Sequence, residues 1–225
     1  MDLPNPDADS PAADAPVRQP RKMSRAARRQ QLIDATIEII AVKGYARTTL
    51  TDVAQQAGLS HGLVNFHFQS KERLLLETLL FLAEEYRANW ADALANAPPG
   101  PAERLDAVLR ADFTPTICSP AKLSAWCAFW GEAQCRPLYQ AQCGANDEAY
   151  GQMLIDLCTE LKADGGYAFD PVRAARVLRV TTEGVWLDMM TNATPYPEDE
   201  GMATVHACAA AFFPRHFNDD GLLRR

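Results

Sequence analysis

"TLTDVAQQAGLSHGLVNFHFQSK", running from Thr49 to Lys71, decides the fold. Thr49 followed by Asp52 is a variant capping box, so the spacing predicts a short helix opening at Thr49. Val53, Ala54 and Ala57 supply its buried side, and Gly58 breaks it. Ser60 is placed to cap a second short helix reaching about His67, and Ser70 a third, longer one reaching about Asn96. Two short helices joined by a glycine-containing turn make the helix-turn-helix pattern. Phe66 and Phe68 are expected in its core rather than on its surface, and Asp52 is expected to cap a helix rather than to contact a base.

Upstream, Ser24 is a candidate N-cap for "RAARRQQLIDATIEIIAVKG", in which Leu32, Ile33, Thr36, Ile37 and Ile40 recur at helical spacing. Gly44 supplies a left-handed stop, and Lys43 sits in the last turn, where a cation suits the helix dipole. Residues 1–20, rich in Pro, Asp and Ala with no periodic apolar pattern, are expected to be a disordered tail. Downstream, "APPGP" at 97–101 interrupts the chain. Beyond it helices are predicted at about 102–113, 121–135, 137–163, 171–192 and 198–213, punctuated by Pro115, Pro120, Pro137, Gly165-Gly166, Pro171, Pro195 and Pro197. Several of these prolines stand where a helix would begin. No strand-like alternation of useful length occurs, and no repeat. The fold class read from this pattern is all-α. It comprises a DNA-binding head at 21–70 with its helix-turn-helix at 49–68, a connecting helix at 71–96, a larger helical body at 97–216, and a tail at 217–225.

With 225 residues, 48% apolar and 23% charged, the chain is long enough to bury a core without disulfides. No window approaches the apolar length of a membrane span, and the acidic, proline-rich start lacks a signal-peptide core, so a cytoplasmic protein is expected. The net charge of −7 hides an asymmetry. From Arg18 to Lys71 nine basic residues stand against three acidic ones, whereas 72–225 holds thirteen basic against twenty-two acidic. A basic segment joined to an acidic body points to nucleic-acid contact at one end only. The six cysteines form no C-x-x-C pair and read as buried thiols. The four histidines are not spaced as helical ligand pairs, so no metal site is expected. No nucleophile–base–orienter set or glycine-rich phosphate loop appears, so neither an enzyme nor a cofactor is expected.

The segment "RRQQLIDATIEIIAVKGYARTTLTDVAQQAGLSHGLVNFHFQSKERLLLETLL" resembles the N-terminal domain of the TetR family of bacterial repressors, with the family's spacing over about fifty residues. In a recognition helix that enters the major groove N-terminus first, the early side chains meet base edges. Here these are Ser60, His61, Gly62 and Asn65. Asn pairs with adenine in a bidentate manner, and Gly62 allows close backbone approach. By the resemblance, Thr49, His67 and Lys71 hold phosphates. The N-terminal amides of the helices capped by Thr49, Ser60 and Ser70 suit the same anion. Arg25, Arg28 and Arg29 are expected at the DNA backbone or minor groove. The resemblance also implies a homodimer on a near-palindromic operator, paired through about 171–192 and 198–213, with an effector pocket in each body.

Within that family the body resembles the BetI repressors of choline-to-glycine-betaine genes, in "KLSAWCAFWGEAQCRPLYQ" (Lys122–Gln140) and "VTTEGVWLDMM" (Val180–Met190), and more loosely in "ADFTPTICSPAKL". The implied function is repression of glycine-betaine synthesis and choline uptake genes in osmoprotection, relieved by choline or betaine aldehyde. The residues suit that ligand. Choline is a permanent cation, and aromatic faces attract it. Trp126 and Trp130 are four apart on one helix face, with Phe129 adjacent. Trp186 lies on another helix with Glu183 three residues earlier. Tyr139 completes the candidate set, and Glu132 and Asp188 are further carboxylates nearby. Trp90 is expected to pack rather than to bind. The alternatives are a TetR-type repressor for another lipophilic cation or an unrelated small molecule, and a redox switch on an all-α scaffold.

Overall fold

Serine, threonine and aspartate caps set the helix starts. In the computed structural model, which describes residues 23–132, 136–194 and 196–223, the Ser24 hydroxyl accepts from the Ala27 amide and opens α1 (Arg25–Lys43). Thr49 does the same for α2 (Leu50–Gln56), Ser60 for α3 (His61–Phe68) and Ser70 for α4 (Lys71–Asn96). Pro101, Pro120 and Pro171 stand in the first turns of α5 (Pro101–Ala111), α6 (Pro120–Gly131) and α8 (Pro171–Thr191), where a missing N–H costs nothing. The remaining helices are α7 (Arg136–Gly165) and α9 (Glu198–Phe212). Gly44 and Gly58, which end the turns flanking α2, take positive φ values of 80° and 65°. A β-carbon is disfavoured in that region.

The tail expected at 1–20 lies outside the described residues, as does the predicted end of α6, since that helix stops at Gly131 and 133–135 are not described. The C-terminal segment differs from expectation. Instead of trailing away from residue 217, it folds back as a short antiparallel hairpin, β1 (Phe217–Asn218) with β2 (Gly221–Leu222). Phe217 is buried, and Gly221 adopts φ 113° at the turn. His216, next to the hairpin, hydrogen-bonds to Asp164 of α7, and within the body His206 of α9 hydrogen-bonds to Asp106 of α5, each at 2.7 Å. A two-residue strand is too short to show periodicity, so no sequence pattern could reveal it.

Two apolar clusters result. Leu32, Ile40, Val53, Val64, Phe68, Leu74 and Leu79 form the centre of the head. Leu105, Leu109, Leu154, Leu161, Leu178, Val205 and Phe213 belong to the body. Two helices join them. The C-terminal half of α4 leaves the head and packs on α5, while α6 lays Ala125 and Phe129 against the head cluster. The linking helix and α6 therefore connect whatever happens in the body to the head. No helix among the described residues is long and apolar enough to cross a membrane.

Candidate DNA-reading face and effector cavity

In α3 the burial pattern separates an inner and an outer side. Val64 and Phe68 point into the head core, while Ser60, His61, Gly62, Asn65 and Phe66 are exposed. The outer side thus carries the early side chains of the helix on one surface. The Asn65 amide lies 3.3 Å from the His61 ring nitrogen, so the two groups are already aligned on that face. A β-carbon added at Gly62 would meet nothing within 4 Å, and its backbone angle is not positive. Nothing inside the folded chain requires glycine there, as fits a position kept bare for an outside partner.

Phe66 corrects one expectation: it is 64% exposed, not core, because it lies two residues from both Val64 and Phe68 on a helix. The Arg25 guanidinium sits 5.5 Å over its ring. Arg29 stacks 4.9 Å over Phe68 and pairs with Glu77 of α4. Arg28 donates to Gln31 at 2.9 Å, and Gln31 reaches the Ala57 carbonyl, bracing α1 against the turn before α3. Asp52 completes the cap that Thr49 begins and pairs with Lys43 at 2.7 Å, which holds its carboxyl below the usual range. Lys71 donates to the Ala46 carbonyl at 2.7 Å. His67 is half-buried. Burial, together with the neighbouring Arg25 and Arg29 charges, holds its imidazole below its ordinary value. At the amino ends of α2, α3 and α4 the Thr49, Ser60 and Ser70 hydroxyls each accept one first-turn amide, from Asp52, Leu63 and Arg73.

The body holds an aromatic cavity between α4, α6, α7 and α8. Its walls are Tyr86 from α4, Trp126 and Trp130 from α6, Tyr139 and Tyr150 from α7, and Trp186 from α8, together with Asp147, Arg179 and Glu183. Trp126 and Trp130 stack with ring centroids 5.8 Å apart. Tyr86 is the hub, edge-on to Trp126 at 6.5 Å and to Trp186 at 6.0 Å, and 5.4 Å from Tyr150. The Trp130 indole donates to the Tyr139 hydroxyl, which in turn donates to Asp147 at 3.1 Å. Arg179 pairs with Glu183 at 2.8 Å and faces Asp147 at 3.7 Å. Burial works against the Arg179 charge, but these carboxylates outweigh it and hold the guanidinium above its ordinary range. The enclosed space is small, about 30 Å³, which is room for one or two waters.

Five of the six expected ligand residues, Trp126, Trp130, Tyr139, Glu183 and Trp186, come together around this one space. Phe129 does not. It is buried on the other side of α6, edge-on to Tyr45 of the head at 5.6 Å. Sequence reading missed Tyr86, Tyr150, Asp147 and Arg179. Arg179, Glu183 and Trp186 fall at i, i+4 and i+7 on α8, a pattern that points Arg179 to the same face. The tyrosines carry no such signal, because only the crossing of α4 and α7 brings them here. Asp188 is exposed on α8 and lies beside Tyr196, away from the cavity walls. Trp90 packs against Tyr150 at 5.8 Å, as expected of a packing residue. Among the described residues the five cysteines are free thiols. Burial pushes Cys118 and Cys158 up to about 12, which opposes the thiolate a redox switch needs.

Comparison with known proteins places this architecture. Residues 32–78 match the family described as bacterial regulatory proteins of the tetR family, and residues 101–214 match the C-terminal domain of BetI-type transcriptional repressors. The chain belongs to the TetR family, with a BetI-type C-terminal domain. It is a DNA-binding transcriptional regulator, not an enzyme. The HTH-type transcriptional regulator BetI of Escherichia coli strain SE11 is 29% identical over 203 residues, covering 89% of this chain and 100% of that protein. A transcriptional regulator of Pseudomonas aeruginosa PAO1 superposes with a TM-score of 0.71 at 26% identity, over 88% of this chain and 97% of the other. A Saccharomonospora viridis regulator, solved in complex with choline, gives 0.69 at 20% identity, over 80% and 94%. In this family α3 belongs to the DNA-binding head, and every wall of the cavity except Tyr86 of α4 lies in the BetI-type domain.

Proposed function

We propose that the chain is a cytoplasmic repressor of genes for choline uptake and glycine-betaine synthesis in osmoprotection, and that choline or betaine aldehyde releases it from its operator. The observation that carries this reading is the cavity itself. It sets indole and phenol faces around a space walled by two carboxylates and one arginine. Aromatic faces attract a quaternary ammonium, and the surplus negative charge of the wall favours a cation over an anion. The choline complex of the S. viridis protein supports the choice of ligand within this fold. The head would engage DNA through Thr49, Ser60, His61, Gly62, Asn65, His67 and Lys71, with Arg28 bracing α1 or touching the backbone.

The narrowness of the cavity supplies the mechanism. A trimethylammonium group needs more room than a pair of waters, so the rings must part when it enters. A ligand shifts an equilibrium only through its different affinity for the two states. Choline would favour the arrangement with α4, α6 and α8 spread, and the operator the arrangement with them closed. The outer side of α8 supports a homodimer. Val177, Val180 and Leu187 are exposed there with Gly184 between them, at alternating spacings of three and four. An apolar stripe with a bare glycine at its centre suits close packing against a second copy through α8 and α9.

Three of the cavity walls are tryptophans, so the ligand reading is tested directly by their fluorescence. Titration with choline is expected to quench or shift the emission saturably. A flat response at millimolar choline, with a response to some unrelated compound, would assign the cavity to another effector.

A further inference from the structure

Asp112 stands behind the cavity wall. It caps the C-terminal end of α5 and is fully buried, the one carboxylate in the buried set among the described residues. Tyr150 donates to its Oδ2 at 2.8 Å, and Tyr86 hydrogen-bonds to it as well. Both tyrosines line the cavity, so a single phenol separates the carboxyl group from the enclosed space. Its Oδ1 has no partner, and neither do the buried indole nitrogens of Trp186, which lines the cavity, and Trp90, which packs on Tyr150. Unsatisfied buried polar atoms are rare in native proteins; of these three, Trp186 lines the space and the other two lie behind its Tyr150 wall.

Among the described residues no cation forms an ion pair with Asp112. Arg179, the basic group in the wall, is engaged by Glu183 and faces Asp147. These two carboxylates are each about a third exposed, so water screens them. Asp112 is fully buried and forms no ion pair among the described residues, and it sits at a helix C-terminus, where the dipole also disfavours a negative charge. An isolated buried carboxylate is costly and ordinarily takes up a proton. Burial accordingly pushes it up to about 7, against the hydrogen bonds from Tyr150 and Tyr86; Glu183 adds to the rise and Arg179 opposes it. Cys118, the other titratable group that feels Asp112, is itself held protonated by burial.

We propose that Asp112 is the buried counter-charge of the effector cavity, the residue that makes the site select a cation over a neutral molecule of the same shape. The proposal rests on the effector reading above and adds the group that enforces it. In the empty protein the carboxyl holds its proton below about pH 7. When a quaternary ammonium enters the ring of aromatics, the carboxyl gives its proton to solvent, so one positive charge enters as another leaves. Tyr86 and Tyr150 hold the anion from the cavity side, and Asp112 is a positioning and charge-balancing residue that does not touch the ligand.

The test compares choline with 3,3-dimethyl-1-butanol, its uncharged carbon analogue, by calorimetry on the full chain and on Asp112→Asn. The wild type is expected to prefer choline. The asparagine variant should lose roughly tenfold or more of that preference, the scale of one poorly screened charge pair, while its affinity for the alcohol stays within about twofold. A second measurement needs no variant. Wild-type choline affinity should rise with pH below about 7, by up to about tenfold per unit, and level off above it, with proton release that disappears at high pH. Binding of the alcohol should be flat. If choline binds but both the preference in Asp112→Asn and the wild-type pH dependence are unaltered, the role of Asp112 is overturned and the effector reading stands. If the wild type binds no quaternary ammonium at all, the effector reading falls and takes this proposal with it.

Discussion

Lys71 shows how a residue can hold the fold and still be available to a partner. It occupies the first turn of α4, and its ammonium donates to the Ala46 carbonyl in the loop between α1 and α2. A phosphate offered at that place would meet a lysine already positioned by its own chain. Lys71→Ala is expected to weaken binding to all DNA sequences alike and to lower the slope of log affinity against log salt by about 1. An unchanged slope in a salt titration of the variant would remove Lys71 from the phosphate contacts. Other single residues resisted sequence reading for a definite reason. Phe66 and Phe129 are aromatic residues in helical patterns whose spacing leaves two faces open. Phe66 turned out to face solvent and Phe129 the head, because which face of a helix is covered depends on the neighbours that cross it. Trp126, Trp130 and Trp186 were legible because indoles at helical spacing on two separate segments had to be buried somewhere, and one shared space satisfies all of them.

At the scale of elements, caps, glycine stops and N1 prolines made most helices readable, since each is a local backbone requirement. The C-terminal hairpin and the tyrosines of the cavity were not readable, since both depend on long-range packing. The structure gives α6 two faces with different tasks. Trp126 and Trp130 face the cavity, while Ala125 and Phe129 press on the head, with Phe129 edge-on to Tyr45. A ligand that displaces the indoles therefore moves the helix that the head rests on. Phe129→Leu keeps an apolar side chain and should cost about 1 kcal/mol of stability. It is predicted to leave choline binding, read by fluorescence, nearly unchanged while reducing the choline-driven loss of operator affinity. That loss corresponds to a coupling of about 1–3 kcal/mol in proteins of this kind of mechanism. A variant that binds choline and still releases DNA as the wild type does would show that the signal travels by another route, such as α4 alone.

At the scale of the whole molecule, charge and architecture agree. Residues 18–71 carry a net positive charge, and the acidic excess lies in residues 72–225, which also hold the cavity. The two halves share α4 and α6, so on the proposed reading ligand and DNA would compete through the same pair of helices rather than for one site. Such a device works only if the closed and spread arrangements differ in affinity for both partners, and linkage then makes the effect reciprocal: operator DNA must weaken choline binding by the factor that choline weakens DNA binding. The most direct test is an electrophoretic mobility shift with the DNA upstream of this protein's own gene, titrated with choline. The account predicts a specific complex that choline dissolves and that glycerol or sodium chloride at matched osmolality does not. A specific complex indifferent to choline and to betaine aldehyde would contradict it.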